Sequence, residues 1–309
     1  MPPTAALAPT RATTLATFLL LAVTAAWGST FFLIRDLVTT IPSADFLAVR
    51  FAVAALAMTA VFHRQMWALP ARARRLAGVI GLVYGSAQIL QTTGLEHTSA
   101  SVSGFITGAY VILTPLIAAA ALRERIAGAT WIAVILSSVG LGVLSLRGMS
   151  MGVGESLTLA AAFLYAVHIL GLGRWSTPEQ ATGMACIQAL SIAGICFLGA
   201  IPGGITLPAD RGQWASLLYM ALVAGAFALW AQTWAQAHLS ATRAAIVMTM
   251  EPVFAAGFAV AFGGESLTGR MLIGGALVVA AMYLVELRGR RETSPPDPWP
   301  AEALHHDAP

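Results

Sequence analysis

The sequence predicts an all-α membrane protein: ten transmembrane helices in two inverted five-helix repeats, with both termini cytoplasmic. Three observations carry that expectation. First, 58% of the 309 residues are hydrophobic and 10% are charged. A soluble core of this size could not hide so much apolar surface, so lipid must solvate much of it. Second, the chain repeats itself: QTTGLEHTSA at 91–100 returns as QTWAQAHLSA at 232–241, a spacing of 141 residues. At the same spacing Glu124 meets Glu265, and Leu146-Arg147-Gly148 meets Leu287-Arg288-Gly289. Third, most of the arginines fall on one side of the proposed membrane.

At about 20 apolar residues per crossing, the expected helices are 15–34, 44–62, 76–95, 100–122, 129–146, 154–172, 182–201, 214–235, 241–262 and 271–287. The first resembles a signal peptide after Arg11, but its apolar run continues through Trp27 to Ile34 and reads as a retained helix. Breakers or charges mark the joints: Pro42, Pro70, Arg123-Glu124-Arg125, Pro178, Pro202 with Gly203-Gly204, and Gly263-Gly264. The weakest joint is Glu96-His97, between the third and fourth helices. The two repeats are expected at 12–148 and 149–289, followed by a polar, proline-rich cytoplasmic tail at 290–309 that reads as disordered.

The chain contains no lysine, so arginine alone sets orientation. The cytoplasmic side would hold Arg11, Arg64, Arg72, Arg74, Arg75, Arg123, Arg125, Arg174, Arg288, Arg290 and Arg291. The outer side would hold Arg35, Arg147, Arg211 and Arg270. Five helices per repeat is an odd number, so the second copy enters from the opposite face. Such an inverted pair places a binding site near the bilayer midplane and permits alternating access.

The segments AAWGSTFFLIRDL (25–37), TSASVSGFITGAYVILTPLIAAAALRERI (98–126) and SATRAAIVMTMEPVFAAGFAVAFGGESLTGRMLIGGALVV (240–279) resemble EamA-type members of the drug/metabolite transporter superfamily. In their order, and across 15–287, they carry the resemblance over nearly the whole chain. The resemblance implies an inner-membrane carrier that exports small metabolites such as amino acids or related amphipathic compounds. The halves are not exact copies, because Pro115 lies 9 residues before Glu124 whereas Pro252 lies 13 before Glu265.

Polar and aromatic residues inside the spans are the site candidates. Trp27, Tyr84, Gln88, Tyr110, Tyr165, His168 and Trp230 are expected to line a substrate cavity. Arg50, Arg243 and Glu251 are the candidates for coupling or gating. Arg243, near the start of its helix, reads more readily as a snorkelling helix end or a structural pair. Glu251, followed by Pro252, could exchange a proton, pair with Arg50 or Arg243, or hold the halves together structurally. His168 could report pH or be satisfied by a neighbouring helix. Gln91, Gln188 and Gln232 read as interhelical hydrogen bonds or as ligand contacts. Glycine pairs at 81/85 and 104/108 read as packing surfaces.

No Walker A sequence is present, which disfavours ATP-driven pumping. The expected energy source is a substrate or proton gradient, with Glu251 and His168 as proton carriers. Neither a cofactor nor a metal is expected, and both cysteines read as buried small hydrophobes. The expected partners are a small-molecule substrate, the lipid bilayer and protons, without nucleic acid, in a monomer or homodimer. The rival readings are a non-transporting scaffold and an intramembrane enzyme. The latter rests on Gly148-Met149-Ser150-Met151-Gly152, which matches a nucleophile-elbow pattern but lacks its strand–helix context.

Overall fold

The computed structural model describes residues 11–122, 151–200, 204–248 and 250–292, with isolated positions between 128 and 143. The expected fifth span and the serine of the elbow-like motif lie mostly outside the described residues. Among them the chain is all-helical, and seven helices are long and apolar enough to cross a membrane.

Helix α1 (Arg11–Leu37) is continuous, whereas α2 (Ser43–Trp67) is kinked at Phe62, whose backbone leaves the helical region (φ −116°, ψ 18°). Helix α3 (Ala71–Leu95) is equally long but is not among those seven. Its polar residues Gln88, Gln91 and Thr92, which lower its apolar character, are all buried inside the protein. Proline precedes both α2 and α3, at Pro42 and Pro70, where a missing N–H costs nothing.

The expected span 100–122 is interrupted. It consists of α4 (Ala100–Thr107) and α5 (Tyr110–Leu122), separated by Gly108 and Ala109. Helices α6 (Val153–Trp175) and α7 (Ala181–Ala200) are continuous. The span expected at 214–235 consists of α8 (Arg211–Ala221), a π-helical segment Leu222–Phe227 and α9 (Ala228–Gln236). The next is interrupted again, into α10 (Ala241–Val247) and α11 (Met250–Ala261). Pro252 explains this break: it sits in the first turn of α11, where its missing donor is tolerated, and it cannot continue a helix begun upstream. Helix α12 (Gly269–Glu292) is the last of the described elements.

The closest packing joins helices from the two sequence halves: α2 with α7, α3 with α6 and α7, α1 with α11, and α4 with α11. The halves therefore interlock. Small residues make this possible. A Cβ on Gly81 would lie 2.8 Å from Gln188 Cα, and one on Gly104 2.5 Å from Ala255 Cβ. Cys186 and Cys196 are both buried and free, as small packing residues.

One end of the bundle is tied shut by polar contacts. Arg35, near the end of α1, donates to Glu265 Oε1 at 3.0 Å and to the Gly263 carbonyl at 2.6 Å. Glu265 also accepts from the Ala100 backbone N–H at 2.9 Å and from the Ser101 hydroxyl. A carboxylate at the exposed N–H groups of α4 also matches the positive end of that helix. Nearby, Asp45 is buried in the first turn of α2 and accepts from Thr206 N. It thus lies at a helix end.

Candidate functional site

Helical periodicity builds the site. Trp27, Thr30, Phe31 and Ile34 share one face of α1, and Tyr84, Gln88 and Gln91 share one face of α3. On α6, Tyr165, His168 and Ile169 do the same. These faces converge, with Arg50 of α2 and Gln232 of α9, on one buried cavity. Thr107 and Tyr110 flank the break between α4 and α5, and Met248 and Glu251 flank the break between α10 and α11. Both interrupted helices thus deliver their broken turns to the same place.

The two breaks touch. The Tyr110 hydroxyl lies 2.8 Å from the Met248 carbonyl and 3.0 Å from Glu251 Oε2. Tyr110 and Glu251 are 141 residues apart, the spacing of the sequence repeat. The same offset relates three further pairs of lining residues: Trp27 with His168, Gln91 with Gln232, and Thr107 with Met248.

Arg50 is 2% exposed and Glu251 5% exposed, yet no ion pair joins them, nor joins Glu251 to Arg243, among the described residues. The pairing considered from sequence is therefore not made. Arg50 instead donates to the Met220 carbonyl at 3.2 Å and, weakly, to Gln88 Oε1 at 3.5 Å. Its guanidinium lies 5.0 Å from the Phe51 ring centroid and 5.8 Å from that of Phe46.

From Arg50 a hydrogen-bonded chain runs across the cavity wall. Gln88 Nε2 donates to the Tyr165 hydroxyl at 2.6 Å, which donates to Gln91 Oε1 at 2.9 Å. Gln91 Nε2 then donates to Thr107 Oγ1 at 2.9 Å. Arginine can only donate, so every link points away from the cation, and aligned dipoles of this kind reinforce one another. Tyr84 stacks edge-on to Tyr165 and lies 4.8 Å from the His168 ring.

The cavity is narrow in this conformation, with about 30 Å³ open to the centres of water-sized spheres. A single water needs roughly 10–15 Å³ on that measure. In this conformation the cavity has room for about two or three waters.

Of the residues expected from sequence, Trp27, Tyr84, Gln88, Tyr110, Tyr165, His168, Arg50 and Glu251 line the cavity. Trp230 does not: it is half-buried and donates to Thr182 Oγ1 at 3.1 Å, beside Phe227. Its face of α9 is turned away from that of Gln232, two residues on. Arg243 does not either, since it is exposed in the first turn of α10, where Ser240 Oγ accepts its backbone N–H. Thr30, Phe31, Ile34, Thr107, Ile169 and Met248 were not foreseen. Those on α1 were legible as neighbours of Trp27 at helical spacing, and Thr107 and Met248 as a pair at the repeat offset.

The EamA-like transporter family matches this chain at residues 14–146 and again at 152–287. A protein of Archaeoglobus fulgidus named "Uncharacterized transporter" is 28% identical over 263 residues, covering 85% of this chain and 82% of that protein. A protein of Streptantibioticus cattleyicolor named "Probable terminal-alkyne amino-acid exporter" is 26% identical over 232 residues, covering 72% and 76%. A crystal structure with a TM-score of 0.68 and 18% identity covers 91% of this chain and 99% of its own, which shows a shared fold. With its apolar helices closing on a buried polar cavity, and with both sequence segments matched, this multi-pass membrane protein belongs to the EamA-like transporter family.

Proposed function

We propose that the protein is a secondary transporter of the bacterial inner membrane that exports a small amphipathic metabolite, such as an amino acid or a related compound. The observation that carries this is the cavity itself: Arg50 and Glu251, opposite charges buried in one chamber, stay apart from each other. Buried charges are costly unless compensated. A substrate carboxylate at Arg50 would supply the missing partner in a bidentate geometry suited to guanidinium. The similarity to a protein named as an amino-acid exporter supports the same class.

The cycle is alternating access between two inverted five-helix repeats, 12–148 and 149–289, within a ten-helix topology. The broken helices flanking the cavity and the 141-residue pairing of its lining residues support this reading. Opening toward one side breaks the contacts of Glu265 with Arg35 and α4. Cysteine labelling of intact cells tests the orientation. The segment 64–75 is expected to be shielded from outside, and the linker 147–155 to be reached. Labelling of the linker only from the cytoplasm refutes five crossings per repeat.

Efflux is coupled to inward proton movement, with Glu251 and His168 as the proton carriers on the cavity wall. Tyr110 bonds Glu251, and Arg50, Tyr84, Tyr165 and His168 share the chamber. The test is amino-acid efflux from proteoliposomes with and without an imposed pH gradient. The gradient is expected to accelerate efflux by the wild-type protein severalfold and to leave Glu251→Gln unaffected. Equal rates with and without the gradient make the protein a uniporter.

A further inference from the structure

The hydrogen bonds on one wall of the cavity end on groups that act in one way only, and this fixes their direction. The Leu229 carbonyl can only accept, so Thr233 Oγ1 donates to it at 2.7 Å. Thr233 must then accept from Gln188 at 3.3 Å, which makes that atom Nε2. Gln188 Oε1 is left facing His168 Nε2 at 2.8 Å, so Nε2 carries the hydrogen. In neutral His168, Nδ1 is therefore a bare acceptor, and it is buried without a partner among the described residues.

A second chain has the same logic. The Ile169 carbonyl accepts from Gln236 Nε2 at 3.0 Å, and Gln236 Oε1 accepts from Gln232 Nε2 at 3.1 Å. Gln232 Oε1 is the atom left over, again buried and unpartnered. At the helix breaks, the single hydroxyl hydrogen of Tyr110 faces two acceptors, the Met248 carbonyl and Glu251 Oε2. Two acceptors on this wall, His168 Nδ1 and Gln232 Oε1, are thus left without a hydrogen among the described residues, beside the Glu251 carboxylate that shares one with the Met248 carbonyl.

The related residues of the first half are not so placed. The Trp27 indole N–H is donated to the Ala224 carbonyl at 2.9 Å, and both ends of the Gln91 amide are engaged. Tyr110 is a donor where its counterpart Glu251 is an acceptor. At these cavity-lining pairs the first-half member is engaged or donating and the second-half member is bare or accepting. Away from the cavity lining the contrast does not hold, since Thr92 Oγ1 is unpartnered among the described residues while its counterpart Thr233 is engaged.

We propose that His168 Nδ1, Gln232 Oε1 and the Glu251 carboxylate form a subsite for a primary ammonium group. Such a group brings three N–H donors and a positive charge. A hydroxyl brings one hydrogen and no charge, and would leave acceptors unpaired beside a carboxylate. This assignment rests on the transport reading and adds an orientation to it. The cationic end faces the second sequence half, and the carboxylate faces Arg50 in the first. Ammonium and proton then compete for Glu251, which gives exchange its physical basis.

The test uses full-length protein with ¹⁵N-labelled histidine in lipid nanodiscs, with the His168 signals assigned by difference from His168→Gln. The unliganded protein is expected to show the Nε2–H tautomer with a bare Nδ1. At constant pH, n-propylammonium is expected to shift the Nδ1 signal, whereas n-propanol at the same concentration is not. Gln232→Leu is expected to raise the propylammonium concentration for half-response roughly tenfold or more. An Nδ1–H tautomer, an equal response to the alcohol, or no response to the ammonium overturns the subsite. Absence of flux in proteoliposomes would overturn the transport reading without altering these spectra.

Discussion

Arg50→Gln is expected to abolish most transport while leaving the folded protein as stable as before, or more so. Arg50 is among the largest fully buried side chains, and no carboxylate lies within ion-pair distance of it among the described residues. Its contacts in the closed protein are a carbonyl, a distant amide and two aromatic rings. Removing such a charge relieves a desolvation cost that nothing in the fold fully offsets. Removing it from a substrate complex forfeits charge-assisted hydrogen bonds of about 1.5–3 kcal/mol, roughly ten- to a hundredfold in apparent affinity. The two effects have opposite signs. Concentration-dependent flux in proteoliposomes and thermal unfolding in detergent separate them. Arg50→Lys should recover part of the flux, because the charge returns without the planar fork. A large fall in thermal stability with unchanged substrate affinity would make Arg50 a structural clamp.

The second large effect is steric. Gly28, next to the cavity residue Trp27, faces α11 so closely that a Cβ there would lie 2.5 Å from Phe254 Cβ and 2.8 Å from the Ala255 nitrogen. Backbone cannot yield as a flexible side-chain tip can. Trp27 pins α1 on its other flank through the Ala224 carbonyl. Gly28→Val is therefore expected to destabilise the fold by about 3 kcal/mol, the upper range for overpacking. Thermal unfolding of the detergent-solubilised protein reads it as a large drop in Tm. Gly28→Ala should fall between this variant and the wild type. A wild-type Tm for Gly28→Val would mean that α1 and α11 do not meet at this glycine.

The helices were legible from sequence because a span is a local property. Length, apolar content and breakers fix where a helix can cross. The interruptions were harder to read. Pro252 signals a break near Glu251, but Gly108 and Ala109 offer only small size, and nothing in LVAGAF announces a π-helical segment. Of the expected residues, Arg50, His168 and Glu251, polar side chains deep in apolar runs, line the cavity. Trp230 and Arg243 do not, because a helix's rotation or a residue's depth decides what the side chain meets. One residue of rotation turns a side chain by about 100°, and apolar runs facing both lipid and protein carry little record of that angle.

By itself the sequence determined the membrane character, the family and the repeat at 141 residues, since these depend on composition and order along the chain. The tertiary structure decided that the repeat positions Tyr110 and Glu251 meet across two broken helices. It also left Arg50 and Glu251 unpaired in one chamber and His168 Nδ1 and Gln232 Oε1 without a hydrogen among the residues that line it. The physical reason is that hydrogen-bond direction depends on which groups lie within about 3 Å of one another. That proximity arises only when helices far apart in the chain pack together.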